Sequence, residues 1–397
     1  MEIPEINEVT TAPIELRAHL SGGASAALSV GEVELLPDLP YSPIQAPEGP
    51  DSCHEPLVAI CMATWNPRLD LLRRQVETIR TQTHANWICL VVDDGSDRID
   101  AAAMGRLLDQ DERFVLRRFP DRLGFYRNFE RALALAPREA EFVALCDQDD
   151  AWEPDKLATL VGAFGTDTTL AYSDMRLVSE AGEVLSPTYW NLRETNYTDL
   201  RRLLIANTIT GAASMVRRDL LEDALPFPPR FGALFHDHWL GAVALAAGEV
   251  AYVDRPLFDY VQHGDATLGH AQANFGATRP RGWWLRWLKL VPSVAAGRRI
   301  PSFYTRVYLP AVLIATIIRQ RCGSRIAPDR LSVLREFEEG RWSLAAELAR
   351  TAFRPGLRRT ATLGRERSFL AALAWQATAK VRGRLGIGTL PRDGDWS

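Results

Sequence analysis

The chain has 397 residues, enough for two or three domains of ordinary size or for one large α/β domain with an appended region. Hydrophobic residues make up 47% and charged residues 24%, which excludes a mostly disordered, collagen-like or fibrous protein. The net charge of −4 conceals a division. Residues 1–270 carry 23 basic and 42 acidic side chains, a net charge of −19, whereas residues 271–397 carry 23 and 8, a net charge of +15. We therefore expect two parts with different partners.

The cysteines and the apolar segments indicate in which cellular compartment the protein is expected. Five cysteines occur without a paired short spacing, so neither a disulfide framework nor a zinc site is expected, and a reducing cytoplasm suits them. The N-terminal sequence lacks the basic and apolar regions of a signal peptide. The longest aliphatic stretch, within 307–318, is shorter than the ~20 residues that a bilayer span needs. We expect a cytoplasmic protein without a transmembrane helix.

Hydrophobic periodicity divides the chain into three regions. Residues 1–54 are acidic and rich in Pro, Gly and Ser, and we interpret them as an N-terminal extension, partly ordered at best. From residue 55 onwards, continuous apolar runs alternate with helical patterns, which is typical of parallel strands buried on both faces. Residues 55–272 therefore predict an α/β domain with a mainly parallel central sheet and flanking helices. Residues 273–397 predict a basic helical region.

The apolar runs give specific elements. The predicted strands lie at 57–63, 87–92, 114–118, 142–146, 170–173, 212–216 and 250–253. The predicted helices lie at 70–83, 101–109, 125–136, 200–205 and 238–247. Polar clusters follow three of these strands, and their principal members are Trp65, Asn66, Asp93, Asp94, Asp147 and Asp149. Because ligands bind at the carboxyl ends of parallel strands, the three clusters are expected on one rim of the sheet.

The acids on this rim allow two interpretations each. Asp147 and Asp149 follow a buried strand and are separated by a single residue. Two carboxylates at this spacing can together face a divalent cation and a diphosphate, since Mg²⁺ and Mn²⁺ prefer oxygen ligands. The alternative is a solvated turn or a helix N-cap. Asp93 and Asp94 are either an ordinary strand-to-helix turn or carboxylates that hydrogen-bond a nucleotide. Trp65 is either a stacking platform for the base or a core aromatic residue.

Two further polar positions lie in the second half of the domain. Asp237 opens an apolar helix, either as a simple N-cap or as a general base. Its neighbours His236 and His238 stand two residues apart, so they do not share a helix face and joint metal ligation is not expected. His263 follows a short strand and is either a hydrogen-bonded structural residue or a ligand.

Other protein classes with acids at strand ends lack a required partner here. No glycine-rich phosphate loop follows a strand, which excludes a dinucleotide oxidoreductase and a P-loop NTPase. The segment from Asp147 to Ala151 does not supply the motif of a haloacid-dehalogenase-type phosphatase. A receiver-type phosphoacceptor needs a lysine on the rim. The nearest lysine, Lys156, lies one turn into the following helix, which disfavours this class.

In this order, the motifs resemble the family 2 glycosyltransferases with a GT-A fold. The matching segments are LVAICMATWNP, ICLVVDDGSDR, RLGFYRNFERAL, FVALCDQDDAWEPDKL, NTITGAASMVRRDL, FHDHWLGAVALAAGEVAYVDRPLFDY and VQHGDATLG. The CDQDDAW, HDHW and QHG segments look most like the bacterial rhamnosyltransferase branch. The resemblance covers about 57–270, slightly over half of the chain. It implies a GT-A domain, Rossmann-like in its sheet, followed by the helical region.

The resemblance implies a role for each site residue. Trp65 would pack on the base, Asp94 with Asp93 would recognise it, and Asp147 would lie near the ribose. The remaining implied residues are Arg127 and Asn128 near the nucleotide, Asp149 and His263 at an Mg²⁺ or Mn²⁺ ion with the diphosphate, and Asp237 as catalytic base. The sequence departs from the branch at Val261, where an Arg usually precedes the Gln, and this removes one expected phosphate contact.

By this resemblance, the chain would be a metal-dependent, inverting glycosyltransferase. Its donor would be a nucleotide sugar, dTDP-rhamnose or a UDP-sugar, and its acceptor a saccharide or glycolipid of a bacterial surface polysaccharide. Two alternatives are a catalytically silent sugar-nucleotide-binding or membrane-scaffold protein, and a nucleotidyltransferase. The nucleotidyltransferase lacks its expected Gly-rich, basic N-terminal loop.

The basic C-terminal region begins with a segment in which Arg and Trp are interleaved. Residues 279–299 contain Trp283, Trp284 and Trp287 among Arg and Lys residues, and no acid. Such a helix can lie in a membrane interface, or it can pack on the catalytic domain. We expect 273–397 to form helices that dock on the inner leaflet or on a second copy of the chain. Nothing on the rim suits nucleic acid.

Overall fold

A computed structural model describes most of the region from residue 55 to residue 262 and parts of both terminal regions. The described residues are 10–19, 25–35, 41–46, 55–97, 101–190, 194–230, 234–262, 303–340, 345, 362 and 365–385. No helix in these segments is long and apolar enough to cross a bilayer. Four of the five cysteines fall in them, and all four are buried free thiols.

The secondary structure alternates as expected in the first half of the central domain. The strands are β1 (Thr10–His19), β2 (Ser25–Leu35), β3 (Val58–Thr64), β4 (Trp87–Asp94), β5 (Phe114–Phe119), β6 (Phe142–Cys146), β7 (Ala151–Trp152), β8 (Thr168–Ser179), β9 (Val184–Ser186), β10 (Ser214–Arg217) and β11 (Glu249–Gln262). The helices are α1 (Leu69–Arg80), α2 (Ala101–Leu108), α3 (Phe125–Ala134), α4 (Lys156–Gly162), α5 (Leu200–Ile205), α6 (Leu221–Ala224), α7 (His236–Ala247), α8 (Leu309–Arg321), α9 (Pro328–Glu339) and α10 (Arg365–Leu385).

The main sheet has the strand order β5-β4-β3-β6-β10-β8-β11-β7, with β9 beside β8. The strands β3, β4, β5 and β6 are mutually parallel, and β8 is parallel to β11. The short strand β10 runs antiparallel to both of its neighbours, β6 and β8, so the sheet is parallel in its first half and mixed in its second. The carboxyl ends of β3, β4 and β6 therefore share one rim.

Continuous apolar sequence places β3, β4 and β6 in the centre of the core. Every residue of β4 and β6 is buried, and helices such as α1 and α3 cover the sheet with amphipathic faces. This explains why these strands lack the alternating pattern of a half-solvated sheet. It also explains why their ends, where polar residues begin, are well defined.

The structure corrects several predicted boundaries. Helix α1 ends at Arg80, before the predicted end at residue 83, because the next three residues turn: the Thr83 N–H donates to the Pro154 carbonyl at 2.8 Å. Helix α7 begins at His236 rather than at residue 238. The strands β8 and β11 are much longer than predicted, because they pair with register shifts on both sides of Pro256. The short strands β7 and β9 were not predicted.

The N-terminal extension contains more structure than its composition indicates. The strands β1 and β2 pair antiparallel with a register shift between Ile14 and Glu15. Residues 41–46 lie against α3, where the Ile44 N–H donates to the Leu135 carbonyl at 3.0 Å and Arg131 donates to the Tyr41 hydroxyl at 2.9 Å. Part of the extension therefore belongs to the packed body of the protein.

The described part of the C-terminal region packs on the central domain. A π-helical turn (Tyr304–Tyr308) leads into α8, and α8, α9 and α10 contribute buried side chains to the same core as the sheet. Salt bridges join the two parts: Arg201 pairs with Glu336 at 2.9 Å, and Arg325 pairs with Asp219 at 2.8 Å. For these helices, packing on the domain is the alternative that the structure supports. The Arg- and Trp-rich segment at 279–299 lies outside the described residues.

Candidate active site

Hydrogen bonds join the three predicted polar clusters into one rim. The Trp65 N–H donates to Gln148 Oε1 at 2.9 Å, which connects the end of β3 to the loop after β6. Asn66 adopts a left-handed backbone conformation with φ of 43°, which Asn tolerates better than most residues, and its N–H donates to Ser96 Oγ at 2.7 Å. The structure thus brings the ends of β3, β4 and β6 together, as predicted.

The acids after β6 lie close enough together to alter one another's titration. Burial, together with the charges of Asp149 and Asp237, raises the pKa of Asp147 to about 7, while Lys156 opposes the shift. Burial and the charges of Asp147 and Asp149 raise the pKa of Asp150 well above its usual range. The charge of Asp237 thus acts on Asp147, so the two residues lie near each other although they are far apart in sequence.

Asp237 lies in the first turn of α7 and is partly buried. Burial raises its pKa to about 7, and hydrogen bonds from the backbone N–H groups of His238 and Gly211 and from the Asn207 side chain oppose this shift. The His238 N–H lies 2.6 Å from Asp237 Oδ1. A carboxylate held in this way is ionised for about half of the time near pH 7, where a general base is most effective.

The two histidines beside Asp237 contact different partners. The His238 ring places Nε2 2.7 Å from the Leu203 carbonyl oxygen, whereas the His236 ring stacks on Phe129 with the ring centroids 4.0 Å apart. His236 is buried, and neither of its ring nitrogens has a hydrogen-bond partner in the part of the chain that the structure describes. Burial lowers its pKa to about 3, so the ring is neutral at physiological pH.

The two acids at the end of β4 are both buried and hydrogen-bonded. Asp93 accepts a hydrogen bond from Ser96 and pairs with Arg118 Nε at 3.0 Å. Asp94 accepts the backbone N–H groups of Leu123 and Gly124 at 2.8 and 2.7 Å. These contacts hold the loop before α3 against the end of β4. Recognition of a nucleotide base by Asp94, with Asp93 beside it, stays a prediction.

The remaining predicted nucleotide contacts have partners within the protein. Asn128 is buried and donates to the Val92 carbonyl at 2.9 Å, which anchors α3 to β4, while its side-chain oxygen has no hydrogen-bond partner among the described residues. Arg127 bridges Glu130 and the Phe227 carbonyl. The guanidinium carbon of Arg122 lies 3.4 Å from the centre of the Trp65 ring, which shows that one face of this ring accepts a flat stacking partner. His263 lies outside the described residues.

Three residues near the acids were not identified from the sequence as part of the site. Gly211 and Asn207 support Asp237, but nothing in their local sequence distinguishes them from other turn residues. The sequence does not predict Lys156 at the rim, because it begins a helix. Its ammonium is nevertheless close enough to Asp147 and Asp150 to oppose the rise in their pKa values. The signal that could have identified it is its isolation, since lysine otherwise occurs only at 289 and 380.

The carboxylates suit a hard cation shared with a ligand. Within the described residues, no three Asp, Glu, His or Cys side chains form a complete protein metal site. Mg²⁺ is usually held by one or two carboxylates together with substrate phosphates, so a complete site is not required. Asp150 Oδ2 is buried and has no hydrogen-bond partner within the described segments. The donor set therefore fits a divalent cation that arrives with a diphosphate.

Comparisons with known proteins agree with this geometry. Residues 59–225 match the family model described as Glycosyl transferase family 2. The putative glycosyltransferase EpsH of Bacillus subtilis (strain 168) is 28% identical over 220 residues, which cover 52% of this chain and 61% of EpsH. The putative colanic acid biosynthesis glycosyl transferase WcaA of Escherichia coli (strain K12) is 27% identical over 115 residues, 27% of this chain and 38% of WcaA. The chain thus spans less than two thirds of the length of these relatives.

Solved structures show a distant likeness over most of the chain. The mannosyltransferase PcManGT from Pyrobaculum calidifontis, in complex with GDP-Man and Mn²⁺, matches at 16% identity and a TM-score of 0.40, over 86% of this chain and 90% of its own. S. aureus TarS 1-349 in complex with UDP-GlcNAc matches at 14% identity and a TM-score of 0.45, over 84% and 92%. The structure confirms the expected α/β fold, a mainly parallel sheet with flanking helices followed by a helical C-terminal region, and residues 59–225 are similar to the glycosyltransferase family 2 domain.

Proposed function

We propose that this protein is a metal-dependent, inverting glycosyltransferase that moves a sugar from a nucleotide donor to a saccharide or lipid-linked acceptor. The observation that carries the proposal is the convergence of Asp147, Asp149 and Asp237 on one rim of the GT-A sheet. A partly buried carboxylate beside such a cluster, with a pKa raised to about 7, is what a general base needs and favours catalysis over binding alone. We propose L-rhamnose from dTDP-rhamnose as the transferred sugar, with a UDP-hexose as the alternative donor.

The names of the relatives support a role in surface polysaccharide synthesis. EpsH is named a putative glycosyltransferase, and WcaA is named for colanic acid biosynthesis. The proposed acceptor is accordingly a growing bacterial polysaccharide or its lipid-linked precursor.

The chemistry proposed for Asp237 is general base catalysis. Its carboxylate takes the proton from an acceptor hydroxyl as that oxygen attacks the anomeric carbon from the face opposite the nucleotide. The new glycosidic bond forms as the bond to the diphosphate breaks, which inverts the anomeric configuration without a covalent intermediate. A base with a pKa of about 7 matches this step near neutral pH, and such bases contribute roughly 10²- to 10⁴-fold to the rate.

The loop after β6 would hold the donor diphosphate. Asp149, with Asp147 beside it and His263 from the end of β11, would hold Mg²⁺ or Mn²⁺, which when bound neutralises the charge on the leaving diphosphate. Trp65 would stack on the base at the end of β3, and Asp94 would lie beneath it. Arg127 and Asn128 would keep α3 in place under the nucleotide.

The proposal is tested by release of nucleoside diphosphate. The full chain is incubated with dTDP-rhamnose, UDP-glucose, UDP-GlcNAc and GDP-mannose in turn, with Mg²⁺, Mn²⁺ or EDTA. We expect release from one donor class, strongest for dTDP-rhamnose, and its loss in EDTA and in the Asp149→Asn variant. Binding of a donor without release at any metal concentration would instead identify a catalytically silent sugar-nucleotide-binding protein.

The composition of 279–299 favours action at the inner face of the membrane. Trp and Arg interleaved without acids suit a surface of anionic lipid headgroups, where a lipid-linked acceptor would be found. Sedimentation with anionic liposomes at low salt tests this location, and zwitterionic liposomes serve as the control. Equal recovery of protein in the supernatant of both would contradict it.

A further inference from the structure

Lys156 is a fully buried cation beside the acids of the candidate site. It is the first residue of α4, and its side chain has no exposed surface. Its ammonium lies 3.8 Å from the centre of the Trp152 ring and 4.4 Å from that of Phe258, which face each other across the β7–β11 pair. Burying a charge is costly unless it is paired, so this position requires compensation.

The compensation comes from two directions. Lys156 Nζ donates a hydrogen bond to the Ala212 carbonyl at 2.6 Å. Burial lowers the pKa of Lys156 to about 7, and the neighbouring Cys146, Asp150 and Asp147 oppose that shift. The Ala212 carbonyl is therefore the hydrogen-bond partner that the structure provides for this buried amine.

The Ala212 carbonyl connects Lys156 to the proposed base. Residues Gly211–Ala213 form a single 3₁₀ turn that leads into β10. The Gly211 N–H in the same turn donates to the Asp237 carboxylate. One short turn thus receives a hydrogen bond from Lys156 on one side and gives one to Asp237 on the other.

We propose that Lys156 is a positioning residue of the transfer reaction. By holding the Gly211–Ala213 turn, it fixes the position of the base relative to the diphosphate-binding acids before the donor binds. Lys156 itself does not touch the donor, because its ammonium is enclosed by Trp152, Phe258 and Ala212. The inference rests on the function proposed above.

The experiment compares three variants of the full chain. Lys156→Met keeps the length of the side chain but removes its charge and its donor, Lys156→Gln keeps an N–H donor without charge, and Lys156→Arg keeps both. We expect kcat to fall about 10- to 100-fold in Lys156→Met, the cost of a small misplacement at an active site, with donor KM nearly unchanged. We expect Lys156→Arg to retain the most activity and Lys156→Gln an intermediate level.

The matched control is Gln82→Leu. Gln82 also holds the start of α4, since it accepts the Leu157 N–H at 3.0 Å and donates to the Glu153 carbonyl at 2.7 Å, but it contacts neither Ala212 nor an acid of the site. This variant should lose stability and keep its kcat. An equal loss of kcat in Gln82→Leu and Lys156→Met would show that Lys156 acts only by stabilising α4.

Hydrogen–deuterium exchange provides a readout that does not need turnover. In Lys156→Met, peptides that cover 208–216 and 234–240 should exchange faster than in the wild type, whereas in Gln82→Leu they should not. Unchanged exchange in Lys156→Met, or a kcat within about twofold of the wild type, would overturn the inference.

If the wild type releases no diphosphate from any donor, the proposed function fails, and the exchange data alone decide whether Lys156 holds the turn. If Lys156→Met does not fold, the kcat values of Lys156→Arg and Lys156→Gln test the inference: a higher kcat in Lys156→Arg supports it, and equal kcat values in the two variants overturn it.

Discussion

The environment of His236 illustrates how the site is built from buried polar groups. The ring stacks on Phe129, has no hydrogen-bond partner among the residues that the structure describes, and lies one residue before the proposed base. A neutral imidazole in this place adds no charge next to Asp237. Because burial lowers its pKa to about 3, the folded protein resists protonation there while the unfolded chain does not.

This difference predicts a dependence of stability on pH. As the pH falls below 6.5, the unfolded state binds a proton at His236 that the folded state rejects, so the free energy of unfolding falls by about 1.4 kcal/mol per pH unit from this group. The His236→Met variant should lose that component. Urea unfolding of the wild type and the variant at pH 7.5 and pH 5.5 measures this component. An equal change in the free energy of unfolding with pH in both proteins would contradict the assignment of the effect to His236.

At the scale of residues, the sequence identified the acids but not their partners. Asp93, Asp94, Asp147 and Asp149 are marked by the abrupt end of buried strands, a local signal. The supports of Asp237 come from a turn distant in sequence, and the position of a side chain such as Lys156 depends on packing that no local pattern encodes.

At the scale of elements, the Gly211–Ala213 turn and the first turn of α7 form one unit. A Cβ atom on Gly211 would lie 2.5 Å from His236 Nε2, closer than atoms in contact can approach. The absence of a side chain at this position therefore lets the two turns touch and lets the Gly211 N–H reach Asp237.

Gly211→Ala should separate these turns. We expect a loss of about 1–3 kcal/mol in stability, as for other overpacked sites, and a fall in kcat because Asp237 loses a hydrogen-bond donor. The control is Gly162→Ala at the end of α4, where an added Cβ meets nothing within 4 Å. A double-mutant cycle with His236→Ala isolates the contact: Gly211→Ala should cost less stability in the His236→Ala background than in the wild type, because the clash is gone. An equal cost in both backgrounds would contradict the close contact.

The elements themselves were predictable where they are apolar and continuous. The strands β3, β4 and β6 and the helices between them follow the hydrophobic pattern. The long strands β8 and β11 were predicted only in part, because polar residues and register shifts interrupt them where they extend past the rim. The strand β7 has two residues, too few for any periodicity to appear.

At the scale of the whole molecule, the charge division does not mark two independent bodies. The helices α8, α9 and α10 in the basic region share a core with the acidic domain, and Arg325 and Arg330 from this region pair with Asp219 and Glu249 of the domain. Part of the positive charge therefore stabilises the fold itself. The sequence could not show this, because pairing between distant segments leaves no local pattern.

This shared core predicts one cooperative unfolding transition. Phe337 in α9 is fully buried, and its ring lies 5.2 Å from that of Phe369 in α10. Phe337→Ala should reduce the free energy of unfolding by roughly 3–5 kcal/mol, whereas Leu185→Ala at a half-exposed position should change it little. Near- and far-ultraviolet circular dichroism during urea unfolding should give one transition in each protein. Two transitions, of which only one moves in Phe337→Ala, would contradict a shared core.

The central claim is that Asp237 removes the proton from the acceptor, and the turnover of Asp237→Asn tests it most directly. Asn keeps the shape of the side chain and removes its basicity. The variant should fold and bind the donor as the wild type does, while its rate of glycosyl transfer falls roughly 10²- to 10⁴-fold. Near-normal transfer by Asp237→Asn, with donor affinity intact, would contradict the account.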